Sequence, residues 1–361
     1  MRRPNPGTGK TRRVVIGQAS AIKVGRAREI AGELHAKVRL GGDPAAEKRI
    51  QVERASHTLG GLVERYLAQQ ETELRSGSYR EVKRHLRVHA KPLHGLPVDT
   101  IDKRTVADQL GAIEKSSGPV TANRVRASLS AMFTWGIKEG LVLANPVMFT
   151  NKRQEKSRDR VLVDTELRRI WKALANNQYG TIIKLLVLTA QRANEIAALR
   201  WEEINFDRNV ISLPGSRTKN GRPHEIPMSV TVRSLLLSQP RIDGRDLVFG
   251  KRDGPFSGFS RCKKALDKRI AELNGGKALA PWVHHDLRRS AATGMADNGI
   301  QPHVVEAVLN HTSGHKAGVE GVYNRASYAA EKAQALARWD EHIASIVHEY
   351  RNTVTPLRGR V

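Results

Sequence analysis

Apolar residues recur at helical spacing along most of the chain. Between Val24 and Arg39, Ala27, Ile30, Ala31, Leu34 and Val38 share one helical face, and Gly41-Gly42-Asp43-Pro44 ends the pattern. Val14 to Ile16 reads as a short strand before this helix. Ala45 to Ser56 is charged, lacks a strong apolar face and reads as a linker. From Thr58, Leu59, Leu62, Val63, Tyr66 and Leu67 form a new stripe. Ser78 to His89, Asp102 to Lys115 and Val120 to Glu139 follow as further helices. Asp102 is placed to cap the first turn of its helix, and Gly140 and Asn145-Pro146 close the segment.

Asn151 to Arg160 is polar, basic and aperiodic, as an interdomain linker would be. Asp164 is expected to cap a helix running to Leu174. Thr181 to Leu188 is apolar on nearly every side and predicts a buried helix. Asn205 to Leu213 is strand-like. Asn220-Gly221 stands between it and Glu225-Ile226-Pro227, the signature of a tight hairpin with Lys219 at its tip. Leu235 to Leu237 and Leu247 to Phe249 add core, and Phe256 to Glu272 is another helix. Further helices are expected from His285, from Pro302 to Leu309, from Ser327 to Ala337 and from Asp340 to Tyr350. The pattern as a whole is mainly α with small β-sheets (α+β).

The chain has 361 residues, enough for two or three domains with cores of their own. Its net charge of +25 points to a polyanionic partner, nucleic acid before membrane. The basic residues are spread along the whole chain, which suits a protein that wraps its partner better than one with a basic tail. On the helical segment 56–150, Arg80, Lys83, Arg84 and Arg87 make double-stranded DNA the expected contact. No run of eighteen apolar residues predicts a membrane span, and the N-terminal MRRPNPGTGK has no apolar region of a signal peptide behind it. Cys262 is the single cysteine, so neither an internal disulfide nor a cysteine zinc site is expected, and a reducing cytoplasm fits. Gly7-Thr8-Gly9-Lys10-Thr11 lacks both the earlier glycine and the preceding strand of a P-loop; it reads as a basic tail.

Chemistry concentrates between Trp282 and Arg325. His285 and Arg288 stand three apart on one expected helix face, His311 follows the next helix, and a Gly-rich link leads to Tyr323. Guanidinium matches the oxygens of a phosphate, imidazole moves protons near neutral pH, and a deprotonated phenol is a nucleophile. The set suggests phosphoryl transfer onto a tyrosine. Arg192, at the end of the buried apolar run, needs a partner there, and Glu195 is one candidate. His284, His303 and His315 lack matching carboxylates or thiols, so no metal or cofactor is expected.

Four pieces in order, TAQRANEIAALRW, TKNGRPHEIP, HDLRRSAATGMA and LNHTSGHKAGVEGVYNR, resemble the tyrosine recombinases, the integrase family of phages and genomic islands. The close resemblance covers about 200 residues. It implies an arm-type DNA-binding module over 1–50, a helical, SAM-like core-binding domain over 56–150 and a catalytic domain over 160–361 with a C-terminal tail from 327. The abrupt start at Met1 leaves open a truncated arm module. Residue by residue, Arg192 matches the first catalytic arginine, Lys219 the lysine of the β-hairpin, and His285 and Arg288 the H-x-x-R pair. His311 matches the position that is His or Trp in the family, and Tyr323 the nucleophile. Glu195 matches a supporting acidic position. Many relatives have Gly where this chain has Ala190, which bears on the turn before Arg192 but removes no functional group. Tyr328 is a fallback nucleophile without the motif position and reads as packing.

The resemblance further implies strand cleavage and rejoining through a 3′-phosphotyrosine link, a homotetramer on attachment-site DNA, and DNA-bending or directionality factors as accessories. It places the protein with the bacterial nucleoid. The apolar face of the last two helices leaves two readings open: packing on its own domain, or docking onto a neighbouring protomer. Four alternatives stand beside the integrase, one of them a metal-dependent transposase or nuclease, which the missing acidic triad disfavours. A Xer-type or resolvase-type recombinase is disfavoured by the arm-like N-terminus. A type IB topoisomerase shares the chemistry without partner exchange. A non-catalytic architectural DNA-binding protein would not need the six site residues.

Overall fold

The computed structural model describes residues 14–18, 20–47, 49, 57–311 and 326–348. The chain divides into two compact units, Met1–Ser157 and Arg158–Val361.

In the first unit, α1 spans Val24–Arg39, the range its apolar spacing predicts, and none of its residues is buried. Val14 to Ile16 is not a strand. Residues 45–47, expected as linker, are helical, because Asp43 Oδ1 accepts from the N–H groups of Ala45 and Ala46 at 3.2 and 3.1 Å. The core of this unit lies further on. α2 (Leu59–Glu73), with Thr58 Oγ1 accepting from Gly61 N–H, buries the expected stripe from Leu59 to Leu67. α3 (Ser76–Arg84) passes into a π-helical turn, His85–His89, whose Leu86 is fully buried. The two helices expected next are present and run on from one another as α4 (Lys103–Lys138), broken at the non-helical Gly118. Asp102 caps it through Thr105 N–H at 2.7 Å. The kink falls at Gly118, at φ 84°, ahead of Pro119, which has no N–H to continue the helical ladder. Val106, Leu110, Val125, Leu129 and Phe133 complete the core. Arg80, Arg84 and Arg87 are exposed, and the Arg87 fork holds Glu64.

The second unit opens on α5 (Asp164–Ala173), where Asp164 is the first helical residue and Val163 takes the cap position expected of it. α6 (Gln178–Thr189), capped by Asn177, is the central helix and is buried at nearly every position, as its apolar run predicts. α7 (Ala193–Ala197) leads to a three-stranded antiparallel sheet of β1 (Ile204–Asn205), β2 (Val210–Leu213) and β3 (His224–Pro227). The single strand expected over 205–213 is thus a hairpin, turned by Asn209 at φ 54° and by Asn205 Oδ1 accepting from Arg208 N–H. β2 and β3 pair Leu213 with His224, so residues 214–223 form a long loop rather than the tight Asn-Gly turn expected.

α8 (Val230–Leu237) and α9 (Phe259–Leu273) follow, then α10 (His284–Asp297), α11 (Pro302–Val308) and α12 (Ala329–His348). The two C-terminal helices expected are one, and it packs within its own unit. Leu336, Trp339, Ile343 and Ile346 are buried, and Trp339 Nε1 donates to Val187 O of α6 at 2.8 Å. Gly294 of α10 makes room for that indole: a Cβ there would stand 2.3 Å from Trp339. Among the described residues no helix is long and apolar enough to cross a membrane.

Candidate active site

Four of the expected residues gather where α6, α10 and α11 end or begin. α6 stops at Ala190, fully buried and left-handed at φ 56°. Its carbonyl accepts from Arg288 Nη1 at 2.7 Å, and Arg288 Nη2 donates to Leu309 O at the end of α11. Arg288 is therefore only 3% exposed, and two fixed carbonyls orient it. Burial, and then the Arg192 guanidinium, push its pKa down to about 10, so it stays charged at neutral pH. Arg192 stands before α7 and meets Glu195 at 3.1 Å, the pairing its position demanded. Just before Arg192 in sequence, Gln191 Nε2 donates to the carbonyls of Thr189 and Val308.

His285 is exposed on the first turn of α10. Partial burial, then Arg288 and Arg289, lower its pKa, which favours the neutral imidazole. His311 is set by the end of α11. Asn310, at φ 49°, donates its N–H to Ala307 O, and His311 N–H donates to Glu306 O at 3.1 Å, the paired bonds of a Schellman cap. Its ring Nδ1 lies 3.0 Å from Glu306 Oε2. Burial, then Arg288, lower the His311 pKa, and Glu306 opposes them. Arg192, Arg288, His285 and His311 thus sense one another's charge, and the two guanidinium groups lie within electrostatic reach. An anion of phosphate size and charge would relieve that repulsion.

Lys219 is exposed in the 214–223 loop. Arg217 anchors the loop on one side, with Nε and Nη2 on the buried Glu203 at 2.7 and 3.0 Å and Nη2 also on Glu195 O at 3.1 Å. Thr218 is buried, its hydroxyl donating within the loop to Arg222 O at 2.7 Å. On the other side Asn220 Nδ2 donates to Asn310 O at 2.7 Å. His224, at the start of β3, bonds Val308 O; burial, then the Lys332 charge, push its pKa down to about 3. The pattern of the sequence did not single out Arg217, Glu203, Glu306 or His224, and it marked Asn220 only as a turn residue. Arg217 carried one further signal, a basic residue two before the expected hairpin lysine.

Tyr323 lies outside the described residues, as does His315. Tyr328, at φ 51°, lies beside the His303 ring, centroids 5.2 Å apart. His284 turns away from the basic cluster into Tyr179, whose hydroxyl is 2.9 Å from its Nε2; burial pushes its pKa down to about 4. Cys262 is unpaired and packs partly buried against the core. Among the described residues no group of three His, Cys, Asp or Glu could hold a metal.

Residues 160–329 match the model of the phage integrase family, and residues 60–152 match the phage integrase central domain. Prophage integrase IntZ of Escherichia coli (strain K12) is 31% identical over 264 residues, covering 70% of this chain. The chain spans only 63% of IntZ in return. Prophage integrase IntA of the same strain is 23% identical over 337 residues, 90% of this chain and 80% of IntA. Among solved structures, a lambda integrase tetramer bound to a Holliday junction superposes with a TM-score of 0.60 at 18% identity, over 86% of this chain and 92% of that one. A lambda integrase dimer bound to a COC′ core site gives 0.59 at 19%, over 90% and 92%. The helical unit followed by a mixed unit with a small sheet is therefore the lambda integrase fold. The chain belongs to the phage integrase family, the tyrosine recombinases.

Proposed function

We propose that the protein is a site-specific DNA recombinase that integrates, and also excises, a prophage or genomic island. The observation that carries this reading is the cluster of Arg192, Arg288, His285 and His311, in which two guanidiniums share one site within a family of integrases. The Tyr323 phenol attacks a DNA phosphodiester. Its proton passes to His285, whose lowered pKa keeps the ring neutral and able to accept it. Charge develops on the non-bridging oxygens; Arg192 and Arg288 bind them and His311 adds a hydrogen bond. The new bond is Tyr323 Oη–P and the broken bond is P–O5′. Lys219 gives its proton to the departing 5′ oxygen. The 3′-phosphotyrosine link keeps the bond energy, so attack by another strand's 5′ hydroxyl rejoins DNA without ATP. The guanidiniums carry the charge that two metal ions carry in other nucleases.

Residues 1–50 serve as the arm-type module and 56–150 as the core-binding domain, with the exposed Arg80 and Arg84 facing phosphates. The working form is a homotetramer on attachment sites, helped by DNA-bending or directionality factors in the bacterial nucleoid. The test uses wild-type protein and Tyr323→Phe on nicked DNA carrying a candidate attachment site, in EDTA, resolved on a denaturing gel. An adduct with wild type alone supports the reading. An adduct that survives Tyr323→Phe moves the nucleophile, with Tyr328 next. An adduct that requires added metal overturns the mechanism.

A further inference from the structure

Asn220 makes the shortest tie between the lysine loop and the histidine corner, and Asn310 Nδ2 adds a longer bond to Arg222 O at 3.4 Å. Asn220 Nδ2 donates to Asn310 O at 2.7 Å and approaches Asn310 Oδ1 at 3.2 Å. Asn220 Oδ1 accepts from Arg222 N–H at 3.1 Å, which squares the amide against its own loop. Asn310 is itself fixed: it sits left-handed at the end of α11, and the next residue is His311, whose N–H is held by Glu306 O. The contact therefore joins the residue after Lys219 to the residue before His311. The near side of the loop already has its anchor in the Arg217 fork on Glu203. Lys219, exposed between these two tethers, carries a long side chain with many rotamers. Its placement depends on both tethers holding the short backbone stretch between them.

We propose that Asn220 is a positioning residue, a latch that registers the Lys219 loop against the corner bearing His311 and so holds the general acid over the leaving oxygen. The inference rests on the reading of Lys219 as that acid. Losing the latch lowers the fraction of protein with Lys219 in place by roughly tenfold, the occupancy that one or two such hydrogen bonds maintain. It leaves the arginine cluster untouched, since Asn220 bonds neither guanidinium.

The test compares two nicked attachment-site DNAs in the full-length protein, one ordinary and one with sulfur in place of the bridging 5′ oxygen. On the second, Tyr323 Oη–P forms and P–S breaks as before. A thiolate needs no proton to leave, because thiols ionise near pH 8–9 and alcohols far above. Single-turnover adduct rates are expected to fall about tenfold for Asn220→Ala on the oxygen substrate and to return within about twofold of wild type on the sulfur substrate. Asn220→Asp keeps the shape and the bond from Arg222 N–H but loses the donor, and should show the same recovery if the alanine variant folds poorly. His311→Ala should stay impaired on both substrates. Equal losses on oxygen and sulfur for both Asn220 variants, or no loss at all, overturn the latch. Lys219→Ala serves as the separate control. If it is not recovered by sulfur, the acid role of Lys219 fails; if it is recovered and the Asn220 variants are not, only the latch fails.

Discussion

Glu306 holds His311 twice, once through its backbone carbonyl and His311 N–H at 3.1 Å, and once through Oε2 and ring Nδ1 at 3.0 Å. The second contact decides what the ring can do. A neutral ring that donates a hydrogen bond from Nδ1–H to Glu306 has only an acceptor left at Nε2; the imidazolium donates from both nitrogens. Burial and Arg288 and Arg192 press His311 toward the neutral form, and the Glu306 carboxylate opposes them. In Glu306→Gln that support is gone, so the charged, donating ring persists only at lower pH. Adduct rates measured between about pH 5.5 and 8.5 should show a deficit of about tenfold at the alkaline end that shrinks toward acid. A deficit equal at every pH would assign Glu306 a purely structural part.

Much of this arrangement was legible in the sequence, and the part that was not has a common cause. Apolar spacing located α1 and α2, in the second of which burial repeats with the helical period, and an unbroken apolar run located α6. Arg192 stood out because a charge beside an apolar run demands a partner, and Arg288 because it stands one helical turn from His285. The sequence pattern misread the 214–223 loop as a two-residue turn, because Asn220-Gly221 carries the local turn signature while Asn220 in fact bonds Asn310, 90 residues away. It divided α12 in two at Arg338-Trp339, although Trp339 is buried and finds its carbonyl partner at Val187. Bonds between segments distant in sequence leave no period to read.

Ala190 makes a prediction about backbone rather than chemistry. It occupies the left-handed region at φ 56°, where a Cβ is strained, and presents its carbonyl to Arg288. Ala190→Gly trades about 1 kcal/mol of relieved strain against a similar loss of methyl burial and chain entropy, and should shift stability by under about 1 kcal/mol. Ala190→Val, β-branched and in a fully buried position, should cost about 2–3 kcal/mol and weaken adduct formation through Arg288. Urea unfolding of the three proteins checks the order; a valine variant as stable as wild type would refute it.

Arg217 and Glu203 form a largely buried pair, with Glu203 5% exposed. Arg217→Ala strands the carboxylate and should cost about 3 kcal/mol. The double variant Arg217→Met with Glu203→Leu should recover most of that stability, because it removes the stranded charge as well as its partner. It should not recover adduct formation, because the bond to Glu195 O and the near anchor of the lysine loop are gone. Recovery of both would show that the loop needs no anchor there.

Two histidines give the fold an acid limit. Burial holds His224 down to about 3 and His284 down to about 4, against about 6.5 in the unfolded chain. Both depressions favour the neutral ring, so their contribution to stability is present above pH 6.5. It is lost as pH falls, since the unfolded chain takes up protons that the folded chain refuses. At pH 5 the loss is roughly 2 kcal/mol for each. Urea midpoints should fall between pH 7.5 and 5, and His224→Asn should flatten that slope even if it lowers the midpoint at pH 7.5. An unchanged slope would show His224 titrating as it does in solvent.

The last helix belongs to the fold rather than to a separable tail. Trp339 is buried against α10, with its indole over Gly294 and its Nε1 on Val187 O, and Arg168 Nε donates to Ile346 O. Trp339→Ala should therefore cost roughly 3–5 kcal/mol, and Gly294→Ala, whose methyl collides with the indole, about 1–3 kcal/mol. Deleting residues 327–361 removes this face and should unfold the second unit, abolishing adduct formation and DNA binding by that unit together. Truncation after His348 keeps the buried face and should leave the unfolding midpoint within error of the full chain. Any loss of tetramer on attachment-site DNA in that shorter protein then reports on residues 349–361 alone, and an undiminished tetramer yield would remove them from the assembly interface.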